Sequence, residues 1–179
     1  MAPIAYLECT KCGAHLPADH PQTVCSKDGG ILYVRYHLAH LKQNFKRQAL
    51  QTGPATMWRY AEVLPDVVPV SLGEGFTPLL PSREFPGVYV KDEGLNPTGS
   101  FKARGMSAAV SMAKAYGLKK LAAPSAGNAG SALAAYAAAI GVHFAVGYLS
   151  LMHLLPAFGG LALFLLGLIL SYPFLCRKV

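Results

Sequence analysis

What the chain most lacks is charge in its C-terminal third. No charged side chain stands between Lys120 and Arg177, and only His143 and His153 titrate there. Such a stretch cannot supply the solvated faces of an ordinary soluble domain, in which about a quarter of residues are charged. Over the whole chain 14% are charged and 53% hydrophobic. Acidic residues are scarce, 9 against 16 basic, for a net charge of +7. That balance suits anionic ligands, although part of it lies between Arg35 and Arg47, where it solvates a helix. Aromatic platforms set in a dense basic face are missing, which argues against nucleic acid as a partner. The opening Met-Ala-Pro-Ile-Ala-Tyr lacks a charged segment followed by an apolar run, so no signal peptide is expected. Four cysteines do not suggest a disulfide framework and point to a reducing compartment.

Three of those cysteines are grouped. Cys9-x2-Cys12 is followed by Cys25-x2-Asp28, then Gly29-Gly30 and an alternating run from Ile31 to Tyr36. Two knuckles of this kind normally present four thiolates to zinc. Here Asp28 stands in the fourth position. A carboxylate ligates zinc less often in structural sites, so two readings stay open: a Cys9, Cys12, Cys25, Asp28 zinc site, or a degenerate ribbon held by its own turns. The module takes residues 1–37. Leu38 to Gln51 is basic with apolar residues at helical spacing and links it to the next segment. Trp58 and Tyr60 read as core aromatics rather than a ligand-stacking pair. Ser71 to Pro78 is a glycine-punctuated loop, and Glu74 inside it has no assigned role.

From Val88 the pattern is strand, loop, helix, strand, loop, helix, strand, ending near Val146. Val88-Tyr89-Val90 reads as a buried strand. Asn96-Pro97-Thr98-Gly99-Ser100-Phe101-Lys102-Ala103-Arg104-Gly105 follows, then an alanine-rich helix ending at Gly117. Ser100 is a good N-cap and Gly117 a good terminator. Lys102 therefore falls in the first turn of a helix, where the dipole opposes a second positive charge and favours the free amine, the form that attacks a carbonyl. Lys119 to Pro124 reads as a further strand. Ser125-Ala126-Gly127-Asn128-Ala129-Gly130 leads into a helix to Ile140, and free amides there make an anion site. Right-handed crossovers predict an α/β fold, a parallel sheet with helices on both faces, with both loops at the carboxyl ends of strands.

Taken as a set, Asn96–Gly105 and Ser125–Gly130 resemble the threonine synthases, pyridoxal-phosphate enzymes of the tryptophan synthase β-like fold. Met57–Tyr60, Ser71–Leu79 and Val90–Leu95 agree, and the resemblance runs from about Cys9 to about Val142. It implies that Lys102 holds pyridoxal phosphate as an imine and Asn128 bonds the pyridine ring hydroxyl. It also implies that Ser125, Gly127 and Asn128 receive the substrate carboxylate. The implied reaction converts O-phospho-L-homoserine and water to L-threonine and phosphate, in the cytoplasm, in a homodimer. Ala103 departs from the Asp often found there. Threonine or serine dehydratases and cysteine synthases share the lysine and the Ser-x-Gly-Asn loop. The cysteine ribbon and Ser71–Leu79 favour threonine synthase over them.

After Val142 the resemblance stops. The glycine-rich loop for the cofactor phosphate is not found, so the chain reads as a truncated and inactive member. The segment 38–146 is then a partial enzyme domain and 147–179 an apolar tail. Residues 144–172 exceed the roughly 20 apolar residues of a membrane span, though Pro156 interrupts them. Arg177-Lys178 would place the C-terminus in the cytoplasm. The tail is read as a membrane segment of a non-catalytic remnant or as an out-of-frame stretch, the latter preferred.

Overall fold

A computed structural model describes residues 4–125 and 127–147. The chain begins with β1 (Ile4–Cys9), paired antiparallel with the short β2 (His15–Leu16) on one side and with β3 (Leu32–Tyr36) on the other. β3 is the alternating run expected at 31–36. β1 and β2 were not expected; β2, with two residues, carries no readable period, and β1 does not alternate cleanly. α1 (Leu38–Asn44) stops well short of Gln51; Phe45 is extended and a 3-10 turn takes Arg47–Gln51. No residue of α1 is buried, and a helix with no packing face gains too little to lengthen. A second 3-10 turn, Met57–Val63, starts where Thr56 Oγ1 accepts from Trp58 N, and it kinks at Tyr60. Trp58 is buried, as expected of a core aromatic; Tyr60 is exposed.

The strand expected at Val88–Val90 exists but is neither buried nor part of a parallel sheet. β4 (Leu79–Pro81) and β5 (Tyr89–Lys91) form an antiparallel pair whose residues are all exposed. Three apolar residues in a row fix neither the partner nor the direction of a strand.

The next elements follow the expected order: α2 (Lys102–Ala115), β6 (Lys120–Pro124), α3 (Asn128–Ala139) and β7 (His143–Gly147). β6 and β7 pair in parallel, Lys120 opposite His143. The core gathers Val70, Ala103, Val110, Leu133, Tyr136 and Ala137, with Leu121 and Ala123 of β6 packed against it. Both helices thus sit on the Leu121–Ala123 face, while Ala122 on the opposite face is exposed. Helices on both faces are not seen among the described residues: β5 belongs to a separate antiparallel pair, so α3 alone makes a crossover between parallel strands there. Mixed α/β architecture holds; among the described residues the parallel sheet has two strands, β6 and β7.

β7 takes residues 144–147 of the long apolar run into a strand pair. No helix among the described residues is long and apolar enough to cross a membrane. The remainder of the span expected at 144–172 lies outside the described residues.

Candidate functional site

Lys102 is the first residue of α2. Ser100, expected as the N-cap, lies one residue ahead of the cap position: Phe101 holds it without a side-chain cap bond, and Ser100 Oγ accepts from Lys102 N at 3.4 Å. The Lys102 amine lies 4.3 Å from the centre of the Phe101 ring and has no hydrogen-bond or ion-pair partner among the described residues. Two residues before Ser100, the buried Thr98 Oγ1 is also unpartnered.

The second loop is built in the same way. Ser125 Oγ accepts from Gly130 N at 2.9 Å and from Gly127 N at 3.3 Å, which satisfies orphan donors at the start of α3. Asn128 is the first residue of that helix, exposed, with its amide group unpartnered among the described residues. A β-carbon on Gly127 would meet nothing within 4 Å. The expected roles of Ser125, Gly127 and Asn128 therefore rest on a helix start with open space in front of it. Two clefts stand out among the described residues, and neither is lined by Lys102, Ser125, Gly127 or Asn128.

What sequence reasoning left without a role is the group that fixes these elements together. Glu74 is fully buried. Its Oε1 accepts from Ser107 Oγ at 2.6 Å and Trp58 Nε1 at 3.1 Å. Its Oε2 accepts from Tyr136 OH at 2.6 Å, Leu72 N at 3.0 Å and Ser71 Oγ at 3.1 Å. One carboxylate thus joins the 71–75 loop, the Met57–Val63 turn, α2 and α3. Burial pushes the Glu74 carboxyl up, but the Ser107 and Tyr136 hydroxyls outweigh it and hold the group below its ordinary value. Burial, and then Glu74, raises the Tyr136 phenol far above the usual range. A signal for this hub was present in the sequence. Ser107 and Ser111 lie four apart on the face that also carries Ala103 and Val110, so polar groups on a buried stripe had to find partners. Ser111 Oγ accepts from Val70 N at 2.7 Å.

A second cluster ties the 92–104 loop down. Arg104 donates to Glu93 from Nε to Oε2 and from Nη2 to Oε1, both at 2.7 Å. Thr77 Oγ1 donates to Glu93 Oε1 at 2.6 Å, and Asn96 Nδ2 to Oε2 at 3.0 Å. The Arg104 guanidinium, with Thr77, lowers the Glu93 carboxyl to about 2. This bidentate pair sets the entry to α2 two residues beyond Lys102. Arg59, Lys91 and Arg104 line an adjoining cleft of about 340 Å³.

The four candidate metal ligands do converge. One ligand atom from each of Cys9, Cys12, Cys25 and Asp28 lies within 4.8 Å of all the others.

Comparison with known proteins gives a consistent result. Residues 70–148 match the family model described as pyridoxal-phosphate dependent enzyme. The chain is 40% identical over 144 residues to the threonine synthase of Methanosarcina acetivorans, covering 76% of this chain and 35% of that protein. It is 37% identical over 142 residues to the threonine synthase of Methanocaldococcus jannaschii, covering 74% of this chain and 35% of the relative. Against the threonine synthase of Mycobacterium tuberculosis it is 42% identical over 104 residues, 54% of this chain and 29% of the relative. The match therefore spans about a third of these relatives' length. The Lys102 and Asn128 helix starts and the Glu74 hub lie inside the matched residues, and over that stretch the chain is similar to pyridoxal-phosphate dependent enzymes and to about a third of the length of these threonine synthases.

Proposed function

We propose that residues 38–146 form the lysine-bearing part of a pyridoxal-phosphate site of threonine synthase type. Residues 1–37 are a separate two-knuckle module and 147–179 an appended apolar tail. The observation that carries the reading is the Lys102 amine in the first turn of α2, which rests against the Phe101 ring and has no hydrogen-bond or ion-pair partner among the described residues. The described residues fit the aldehyde and the ring hydroxyl of the group. Lys102 supplies an amine for covalent attachment to the aldehyde. The exposed amide of Asn128 at the start of α3 supplies a donor for the ring hydroxyl. When bound, pyridoxal phosphate supplies the electron sink that lets phosphate leave the γ-carbon of O-phospho-L-homoserine and water add at the β-carbon. The Ser125–Asn128 helix start receives the substrate carboxylate, since its amides and dipole favour an anion. With the group held there, Lys102 Nζ would be placed to move protons on the substrate as base and then acid. Glu74 touches none of these groups; it positions α2 and α3 so that both helix starts are held.

Incubation of the full chain with pyridoxal phosphate, borohydride reduction and peptide mapping tests this. The expected adduct sits on Lys102 and vanishes in Lys102→Ala. Adducts spread evenly over Lys91, Lys114 and Lys119, unchanged in that variant, would overturn it. Phosphate release from O-phospho-L-homoserine then reports whether the attached group is used.

A further inference from the structure

The cysteine cluster answers to none of this chemistry. It lies where β1 ends at Cys9 and in the turns that carry Cys12, Cys25 and Asp28, and three thiols with one carboxylate form a donor set chosen by soft divalent ions. In a tetrahedral site with metal–sulfur bonds of about 2.3 Å, neighbouring sulfurs stand about 3.8 Å apart. With a metal–oxygen bond of about 2.0 Å, sulfur and oxygen stand about 3.5 Å apart. Cys12 Sγ and Cys25 Sγ are 3.9 Å apart, and Cys9 Sγ lies 3.3 and 3.6 Å from the two Asp28 oxygens. The spacing therefore suits an ion at the centre and is too long for a disulfide.

The backbone around the cluster is built for the same purpose. Each knuckle closes on a glycine at φ +67°, Gly13 and Gly29. Gly13 N donates to Cys9 O at 3.1 Å and Gly29 N to Cys25 O at 2.9 Å. The second knuckle thus keeps the fold of the first although its last ligand is Asp28. Lys11 N points at Cys9 Sγ at 3.4 Å, and Gly30 N holds Asp28 Oδ1 at 2.9 Å. A β-carbon on Gly30 would stand 2.6 Å from Cys9 Sγ and 3.0 Å from Asp28 Oδ1. Only glycine leaves room for the two ligands to approach. Cys9 and Cys25 are buried, Cys12 and Asp28 exposed.

We propose that Cys9, Cys12, Cys25 and Asp28 bind one divalent ion of the zinc class through three sulfurs and one oxygen. On binding, the thiols give up their protons to water and the ion becomes four-coordinate. Four protein ligands leave no open position, so the site is structural. It also supports a contact outside the sheet. Ala18, in the loop between the knuckles, accepts from Tyr116 OH at 3.1 Å, where α2 ends. The ion would hold that loop in place against the enzyme-like part of the chain.

The full chain purified without chelator should carry close to one zinc per molecule. Replacement by cobalt(II) should give a thiolate-to-metal charge-transfer band with the intense visible absorption of tetrahedral cobalt. Asp28→Ala should weaken zinc by at least about tenfold, and Asp28→Cys should restore or exceed the original affinity. Cysteine variants that fail to fold do not spoil the test, because the cobalt spectrum is read on the unaltered chain. Absence of the band together with metal below a tenth of stoichiometry would overturn the proposal. So would Asp28→Ala binding zinc as tightly as the unaltered chain, or a Cys12–Cys25 disulfide in the reduced-buffer preparation.

Discussion

Glu74 is the residue on which the described structure depends most. Every group around its side-chain oxygens donates, so only a carboxylate suits all of them at once. In Glu74→Gln one position becomes an NH₂ facing donors. The Ser and Tyr hydroxyls can turn and accept, and Trp58 Nε1–H keeps Ser107 Oγ at 2.8 Å, but Leu72 N–H can only donate. The expected loss is about 2–4 kcal/mol by urea denaturation, against about 1 kcal/mol for Tyr136→Phe, which removes a single donor. A Glu74→Gln chain as stable as the original would show that the hub is not held by charge. The difference between these two residues also shows what a sequence discloses. Lys102 stood out because its loop, cap and helix start are local in the chain. Glu74 did not, because three of its five donors come from positions 58, 107 and 136, and its local donors, Ser71 and Leu72, announce none of them.

At the scale of elements, the same distinction separates what was foreseen from what was not. α2, β6, α3 and β7 were readable because each carries its own period and its own stop signal, such as Gly117 at φ +70°. The direction of β5 was not, since strand pairing depends on a partner ten residues earlier that has no pattern of its own. The 71–75 loop offers a sharp test of how tightly elements are joined. Gly75 has φ +110°, and a β-carbon there would stand 2.5 Å from Met57 N, a backbone atom that cannot step aside. Gly73 has φ +95° with open space around it. Gly75→Ala should cost about 3 kcal/mol or more, Gly73→Ala about 1–2, as the backbone conformation alone requires. Equal losses in thermal unfolding would mean that the close approach to Met57 does not matter.

At the scale of the whole molecule, the β4–β5 pair presents Leu79, Leu80, Tyr89 and Val90 to solvent, with Phe85 and Val88 beside them. An apolar patch with open strand edges invites a second surface. The full chain is expected to self-associate in sedimentation runs at increasing concentration. Leu80 and Val90 are cross-strand partners. The paired change Leu80→Lys with Val90→Lys should therefore reduce association several-fold by setting like charges opposite each other. A chain that stays monomeric at high concentration would refute this.

The contact between Tyr116 and Ala18 joins groups 98 positions apart, and that between Tyr136 and Glu74 joins groups 62 apart. Protein synthesis delivers these pairs in a fixed order. The β1–β3 sheet is complete soon after Tyr36 leaves the ribosome and needs nothing downstream to form. Its latch on α2 must wait for Tyr116, and Glu74 must wait longer still for its last donor. During that interval the growing chain holds a folded N-terminal module tethered to a segment whose central carboxylate is short of a partner. A nascent chain stalled before Tyr136 would be the form most exposed to proteases and chaperones, and the translation of twenty residues would end that exposure.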